Sequence, residues 1–304
     1  MYQHILTPLD GSSLAEIALP AAAYFAQAFQ ARVTLLHVIE QRAAATVHGE
    51  RHLTGVAEAE TYLRKIAQTA FPTGTNVTCH VHDEATRNVS QAIAEHEGEL
   101  SPDFLIMATH DQSYAHQALF GNIAQQVAAF GELPLLLVRA PIESRPSAFT
   151  CKHILAPTDG EAHHESGLAV ACKLAQHFDS ALHLLSVVPT VGNLSGSQAL
   201  MQRFMPGTTA TMLEIAEVEF RNYLNEQLDR LQQYGVSASA EVKRGDPATV
   251  IAETAEIMNA SLIVLGTHGR AGTNAFWRNS VGANVILRSK RPVLLIPVKE
   301  SCEK

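Results

Sequence analysis

The chain has 304 residues, of which 46% are hydrophobic, and it carries a formal net charge of −8. This length is typical of two domains of about 150 residues each, and the charged fraction of 17% is too low for a disordered chain. The negative charge disfavours nucleic acid and anionic membranes as partners, because both would repel it.

Cysteine usage and the apolar runs narrow the class of protein further. The four cysteines show no CxxC spacing, which argues against a disulfide framework or a zinc knuckle. The N-terminus lacks a basic region followed by an apolar stretch, and no apolar run approaches the roughly 20 residues that span a bilayer. We therefore expect a cytoplasmic protein with no membrane partner.

The first elements of the chain recur in its second half. Residues 2–39 align without a gap with residues 151–188, and the identities include His4 with His153, Asp10 with Asp159 and Gly11 with Gly160. Residues 103–138 align in the same way with residues 261–296. Such long periods indicate duplication of a whole domain. We predict domains at 1–140 and 151–300, joined near 139–150, where two prolines and two serines interrupt the apolar pattern.

Within each half, short apolar runs alternate with segments that have helical periodicity. Strands that read as continuous apolar runs, each followed by a helix, predict a parallel sheet covered on both faces. The predicted fold is α/β, with two tandem doubly wound domains of five parallel strands each. In the second half the predicted strands are 153–158, 181–188, 237–243, 261–267 and 292–298, and the predicted helices are 165–178, 213–233, 248–258 and 280–287.

The connection at residues 189–211 is longer than most in α/β domains and contains Gly, Ser, Pro and Met. Loops of this length are commonly functional lids or disordered connectors, and both alternatives stay open here. The segment follows the second strand of its half, so a lid would lie beside a ligand bound at the ends of the strands.

Two strand ends in the second half carry the residues typical of a binding site. Pro157, Thr158 and Asp159 end the first strand, and Gly266-Thr267-His268-Gly269 ends the fourth. Glycines allow backbone N–H groups to converge on a phosphate, and the start of the next helix adds unpaired N–H groups. Arg270 and Ser280 add a cation and a hydroxyl, and Asp159 is suited to a ribose or a metal ion.

These motifs together resemble the universal stress protein family, whose nucleotide loop reads Gly-x-x-Gly, nine residues, then Gly and Ser or Thr. The resemblance covers nearly the whole chain and implies a tandem member with the fold of the adenine-nucleotide alpha-hydrolases. It implies ATP, with Mg²⁺, as the ligand of the second domain. The contacts it implies are Pro157, Thr158, Asp159, Val187, Gly266, His268, Gly269, Arg270, Asn279, Ser280 and Val281, with Asn279 standing where the family has its third glycine.

The same loop in the first half is altered. Asp10 and Val38 are retained, but the aligned glycine and hydroxyl positions hold Ala108, Asp111 and Asn122. A carboxylate at Asp111 would repel phosphates by several kcal/mol at a few ångströms. We therefore predict one competent site and one degenerate site. The resemblance also implies an internal pseudo-dimer through the strands at 135–138 and 293–298, and it leaves a homodimer of the whole chain open.

Fifteen histidines invite a metal hypothesis. His80 and His82 lie on one face of a strand, and His163-His164 lie near a helix start, but no third ligand with recognisable spacing follows either pair. We interpret them as surface histidines and expect no resident metal. Catalytic motifs such as GxSxG, HExxH and Walker A are absent.

The sequence therefore predicts an adenine-nucleotide-binding stress protein with a regulatory role. It assigns no catalytic residue and allows at most slow ATP hydrolysis. Two alternatives come from other classes of protein. One is an interaction scaffold that binds no nucleotide, and the weaker one is a metal-dependent or small-molecule hydrolase.

Overall fold

The computed structural model describes residues 1–109, 123–130, 132–139, 148–161, 165–194, 196–268 and 280–298. The chain divides into two compact units, and the boundary falls between Thr150 and Cys151. Each unit contains five parallel strands that alternate with helices, so the predicted doubly wound α/β fold is confirmed in both halves.

The first unit has five parallel strands in the order β7-β6-β1-β2-β5. A small antiparallel hairpin, β3–β4, lies outside this sheet. The elements of this unit are β1 His4–Pro8, α1 Leu19–Phe29, β2 Arg32–Glu40, β3 Thr46–Val47, β4 Glu50–Arg51, α2 Val56–Ala70, β5 Val77–Thr86, α3 Val89–Leu100, β6 Phe104–Thr109, α4 Ile123–Phe130 and β7 Leu135–Arg139.

The second unit repeats the same strand order as β12-β11-β8-β9-β10, again with parallel pairs. Its strands match the predicted ranges to within one residue. Its elements are β8 His153–Pro157, α5 Glu165–Phe178, β9 Ala181–Val188, α6 Gly196–Phe204, α7 Pro206–Gln233, β10 Ala238–Arg244, α8 Pro247–Ile257, β11 Leu262–His268, α9 Val281–Arg288 and β12 Val293–Val298.

The central strands are buried on both faces. Ile5 and Leu6 of β1, and Ile154 and Leu155 of β8, are successive residues with no solvent exposure. Successive side chains of a strand point to opposite faces, so helices must cover both sides of each sheet. Burying one such side chain contributes about 1.5–3 kcal/mol, which makes these strands the core of each unit.

The expectation that residues 189–211 form one long loop is wrong. A short 3₁₀ turn at Val191–Asn193 is followed by α6, and α7 begins at Pro206, seven residues before the predicted start. Pro206 occupies the first helical turn, where its missing N–H costs nothing. The hydroxyl of the buried Thr209 donates to the Met205 carbonyl at 3.1 Å, so this buried polar group has a partner within the helix.

Candidate functional site

The strand order of the second unit reverses direction beside β8. Ile154 and Leu155 of β8 pair with Leu262 and Ile263 of β11, while β9 pairs with the opposite edge of β8. The carboxyl ends of β8 and β11 therefore lie side by side, and the next strands along the chain, β9 and β12, pair on opposite sides of these two strands. Ligands of open α/β sheets bind in the crevice formed at such a point.

The turn that follows β8 is held by hydrogen bonds on both sides. The Thr158 amide donates to the Leu185 carbonyl at 2.9 Å, and the buried Ser186 hydroxyl donates to the Thr158 carbonyl at 2.8 Å. The Glu161 amide donates to Asp159 Oδ1 at 3.1 Å, and Gly160 has a φ of +74°, which favours glycine. These bonds fix the Asp159 carboxylate at the end of the strand.

Tyr223 of α7 lies beside this turn, and the sequence did not single it out. A Cβ on Gly160 would meet the Tyr223 ring at 3.8 Å. Among the described residues the buried Tyr223 hydroxyl has no well-aligned hydrogen-bond partner, although the Thr158 side chain is close to it. Burial raises the pKa of the Tyr223 phenol, and the Glu165 and Asp159 carboxylates add to the rise. The phenol therefore stays protonated and offers a donor next to Asp159.

Gly266 of β11 lies directly against α5. A Cβ added at Gly167 of α5 would come within 2.4 Å of the Gly266 backbone nitrogen. The corresponding residues of the first unit are Ala18 and Ala108, so both partners of this helix–strand contact differ between the halves. Gly266 therefore belongs to a close helix–strand packing, a role that the loop motif did not indicate.

Ser280 is the N-cap of α9. Its hydroxyl oxygen accepts a hydrogen bond from the Ala283 amide at 3.1 Å, and its backbone is extended. Val281, which begins the helix, is exposed. A capped helix start still has N–H groups without intrahelical partners, and it carries a partial positive charge. The Ser280 hydroxyl can still donate its own hydrogen, so Ser280 can cap the helix and contact a ligand at the same time.

The remaining predicted site residues divide into two groups. Pro157 ends β8, Val187 of β9 pairs with Lys243, and His268 ends β11 opposite Val298. All three therefore lie at or near the carboxyl edge of the second sheet. Gly269, Arg270, Asn279 and the His163-His164 pair lie outside the described residues, as do Asp111 and Asn122 of the first half.

In the first unit, the amides and hydroxyls of the turn after β1 form hydrogen bonds with nearby carboxylates. The Ser12 amide and hydroxyl both donate to Asp10 Oδ1, at 2.9 and 2.6 Å, and His48 Nε2 lies 3.5 Å from Asp10 Oδ2. The Ser13 amide and hydroxyl donate to Glu50 Oε1 at 2.8 and 2.6 Å. The Ser13 bonds lower the pKa of Glu50, so the carboxylate is ionised there.

His37 of β2 connects this turn to the segment that contains Leu53. Its Nδ1 lies 2.7 Å from the Leu9 carbonyl oxygen, and its Nε2 lies 3.1 Å from the Leu53 carbonyl oxygen. Ser186 is the aligned residue of the second unit, and it contacts the equivalent carbonyl but is too short to reach further. The Leu53 side chain then packs on Gly11, 2.6 Å from the position of a Cβ there. Hairpin β3–β4 and Leu53 thus cover the first turn.

Comparison with known proteins identifies the class that this fold and these strand ends define. The model of the universal stress protein family matches residues 1–139 and again residues 150–297. The chain therefore belongs to the universal stress protein family and contains its domain twice in tandem.

Individual relatives agree with this assignment. A universal stress protein of Methanocaldococcus jannaschii is 32% identical over 155 residues, which are 49% of this chain and 85% of the relative. A Pseudomonas aeruginosa protein described as functionally unknown has the same fold, with a TM-score of 0.65, 18% identity and coverage of 98% and 93% of the two chains. An Archaeoglobus fulgidus universal stress protein gives a TM-score of 0.61 at 14% identity, with coverage of 98% and 97%.

None of the helices in the described ranges combines the length and the hydropathy that a bilayer-spanning segment needs.

Proposed function

We propose that the second unit binds an adenine nucleotide, ATP with Mg²⁺, and that the first unit does not. The observation that carries this proposal is the contrast between the two aligned turns. In the first unit, Leu53 packs on Gly11, and Glu50 accepts hydrogen bonds from the amide and the hydroxyl of Ser13. In the second unit, the atoms of the described residues that a Cβ added at Gly160 would meet first are those of aromatic rings of α7, at ordinary contact distance.

The residues of the second unit fit such a ligand. Asp159 is held at the strand end as a hydrogen-bond acceptor for a ribose or as a ligand for Mg²⁺. The Tyr223 hydroxyl is a donor that lacks an aligned partner in the described part of the chain. The start of α9, capped by Ser280, is suited to phosphate oxygens, together with Gly269 and Arg270 of the preceding loop.

Charge supports the same asymmetry. The aligned loop of the first half places Asp111 where the second half has Gly269. Together with the ionised Glu50 and with Asp10 at the turn, it would make the first site strongly negative. Phosphates repel such a site, since like charges a few ångströms apart cost several kcal/mol at moderate dielectric. Occupancy of the second unit would then be the signal that this protein supplies to stress regulation.

Calorimetric titration of the full chain with ATP and Mg²⁺ tests the proposal, and we expect one nucleotide per chain. Asp159→Ala should weaken binding by tenfold or more, about 1.4 kcal/mol, whereas the matched variant Asp10→Ala should leave it unchanged. Gly269→Asp, which copies the first-half residue, should abolish binding. Two equivalent sites, or equal losses in Asp10→Ala and Asp159→Ala, would contradict the asymmetry.

An interaction scaffold that binds no nucleotide is the second candidate function. The observation that favours it is a set of exposed apolar side chains on α6 and the first half of α7, namely Leu200, Phe204, Met205, Met212 and Ile215. Exposed apolar clusters are typical of binding surfaces. The absorbance of the supernatant after denaturation of purified protein separates the two candidates. Released adenine supports nucleotide binding, whereas no adenine and no thermal shift with ATP and Mg²⁺ support the scaffold.

A further inference from the structure

A histidine cluster lies in the first unit, on the face of the edge strand β5 that contacts α3. His80 and His82 are two residues apart on β5 and therefore share that face. His96 of α3 inserts its ring between them, with centroids 4.7 Å from His80 and 5.1 Å from His82. The His96 side chain is only 5% exposed, whereas His80 and His82 are half-buried. The third histidine, which sequence spacing did not reveal, comes from the next helix.

We propose that His80, His82 and His96 form a binding site for a divalent transition-metal ion, Zn²⁺ being the best match. Imidazole nitrogens are preferred ligands of Zn²⁺, Cu²⁺ and Ni²⁺, and they are poor ligands of Mg²⁺. The site belongs to the first unit and is independent of the nucleotide proposed for the second.

Two of the three nitrogens are already placed for one ion. His82 Nδ1 and His96 Nε2 are 3.1 Å apart. With Zn–N bonds of about 2.0–2.1 Å, tetrahedral geometry requires about 3.3–3.4 Å between two ligand nitrogens. In the described ranges no three metal-binding side chains already surround one point. His80 must therefore rotate its ring to become the third ligand, and water would complete the coordination.

A carboxylate lies behind the buried histidine. Glu99 Oε2 is 2.7 Å from His96 Nδ1, the nitrogen that points away from His82, but the angle of this contact is too poor for a hydrogen bond. Histidines that bind metals commonly donate their second N–H to a carboxylate, which selects the tautomer. A small movement of the exposed Glu99 side chain would align that bond, so that Nε2 is left unprotonated for the metal.

The charges around the cluster favour a bound cation. The Glu99 and Asp83 carboxylates lie close enough to His80 to favour positive charge there. Neutral imidazole is the form that binds metal. One divalent ion would be bound by a ring nitrogen of each of the three histidines.

Isothermal titration of the metal-free full chain with Zn²⁺, with Mg²⁺ as comparator, tests the proposal. We expect one Zn²⁺ per chain, a raised unfolding temperature and no effect of Mg²⁺. His80→Gln and His82→Gln, at half-buried positions, should each weaken binding by about tenfold or more, and Glu99→Gln should weaken it by about tenfold as a positioning residue.

The matched control is His183→Gln. His183 of β9 also lies on a strand beside a carboxylate, 3.0 Å from Glu241 Oε1, but within the described part of the chain no second histidine contacts its ring. This variant should bind Zn²⁺ like the wild type. The proposal is overturned if the wild-type chain does not bind Zn²⁺, or if His80→Gln and His82→Gln bind it as tightly as the control does. The 3.1 Å contact would then be only a hydrogen bond between two rings.

Discussion

The contact between Gly167 and Gly266 makes the second unit sensitive to a single methyl group. In Gly167→Ala the new Cβ would lie 2.4 Å from the Gly266 nitrogen and 3.0 Å from its Cα. Ordinary contacts between heavy atoms are about 3.5–4.0 Å, so α5 must move away from β11 by about 1 Å. Neither partner is a flexible side-chain end, because Gly167 is buried in α5 and the atoms that its Cβ would meet are backbone atoms of β11.

The size of the effect follows from two opposing contributions. Overpacking of a core costs about 1–3 kcal/mol, and a backbone contact belongs at the upper end of that range. Replacing glycine by alanine inside a helix returns about 1 kcal/mol. We therefore expect Gly167→Ala to lower the free energy of unfolding by about 2 kcal/mol, and to displace β11 around Gly266.

The matched variant is Gly98→Ala, the same change in a helix. Gly98 of α3 is exposed, and a Cβ there would meet no atom within 4 Å. Gly98→Ala should raise the free energy of unfolding by about 0.5–1 kcal/mol, since only the helix propensity changes. Urea unfolding followed by far-UV circular dichroism measures both variants. Hydrogen exchange should show that the loss in Gly167→Ala is confined to α5 and β11. If both variants were stabilised equally, the packing argument would be wrong.

Four further substitutions test single hydrogen-bonding side chains. The Asp246 side chain caps α8 through the Thr249 amide at 3.0 Å, so Asp246→Ala should cost about 1 kcal/mol at pH 7. The Thr249 bonds lower the pKa of Asp246 from its ordinary 3.8. The contribution of the Asp246 cap to stability is therefore complete above the ordinary pKa of 3.8, and it is lost as the pH falls through the lowered pKa of the folded state. Asn88→Ala, at the cap of α3, should cost a similar amount at neutral and acidic pH in the same urea titrations, because Asn88 does not titrate. The Tyr2 hydroxyl is buried without a hydrogen-bond partner in the described ranges, so Tyr2→Phe should be neutral or stabilising by up to about 1 kcal/mol. Tyr62→Phe removes a hydrogen bond of 3.1 Å to Glu16 and should lower the free energy of unfolding by about 1 kcal/mol. Thermal unfolding should therefore show Tyr2→Phe to be more stable than Tyr62→Phe, and the opposite order would contradict both predictions.

The repeat and the apolar runs predicted the fold because both are local signals. Apolar runs that alternate with helical segments indicate a parallel sheet covered on both faces. Helix α5 was predicted with its observed bounds. The start of α7 was missed because Pro206 and Gly207 are read as loop residues, although proline is well accommodated in a first helical turn.

The candidate site was predicted only where its residues follow directly from strand ends. Asp159, Ser280 and Val281 lie at the ends of elements, and an alignment of the two halves locates them without a structure. Tyr223 was missed because it belongs to α7, far from the strand end in sequence. The alignment did hold one usable signal, since His37 and Ser186 occupy the same position on the second strand and contact the same carbonyl.

The sequence by itself determined the class of fold, the duplication and the family, since these depend on periodicity and on motifs that recur at a fixed spacing. The tertiary structure alone decided which groups from distant segments meet. It brought Leu53 and Glu50 onto the first turn, Tyr223 beside the second, and His96 between His80 and His82. Such contacts depend on how helices pack across a sheet, which local sequence patterns do not encode. The two halves therefore share one fold and differ at the site.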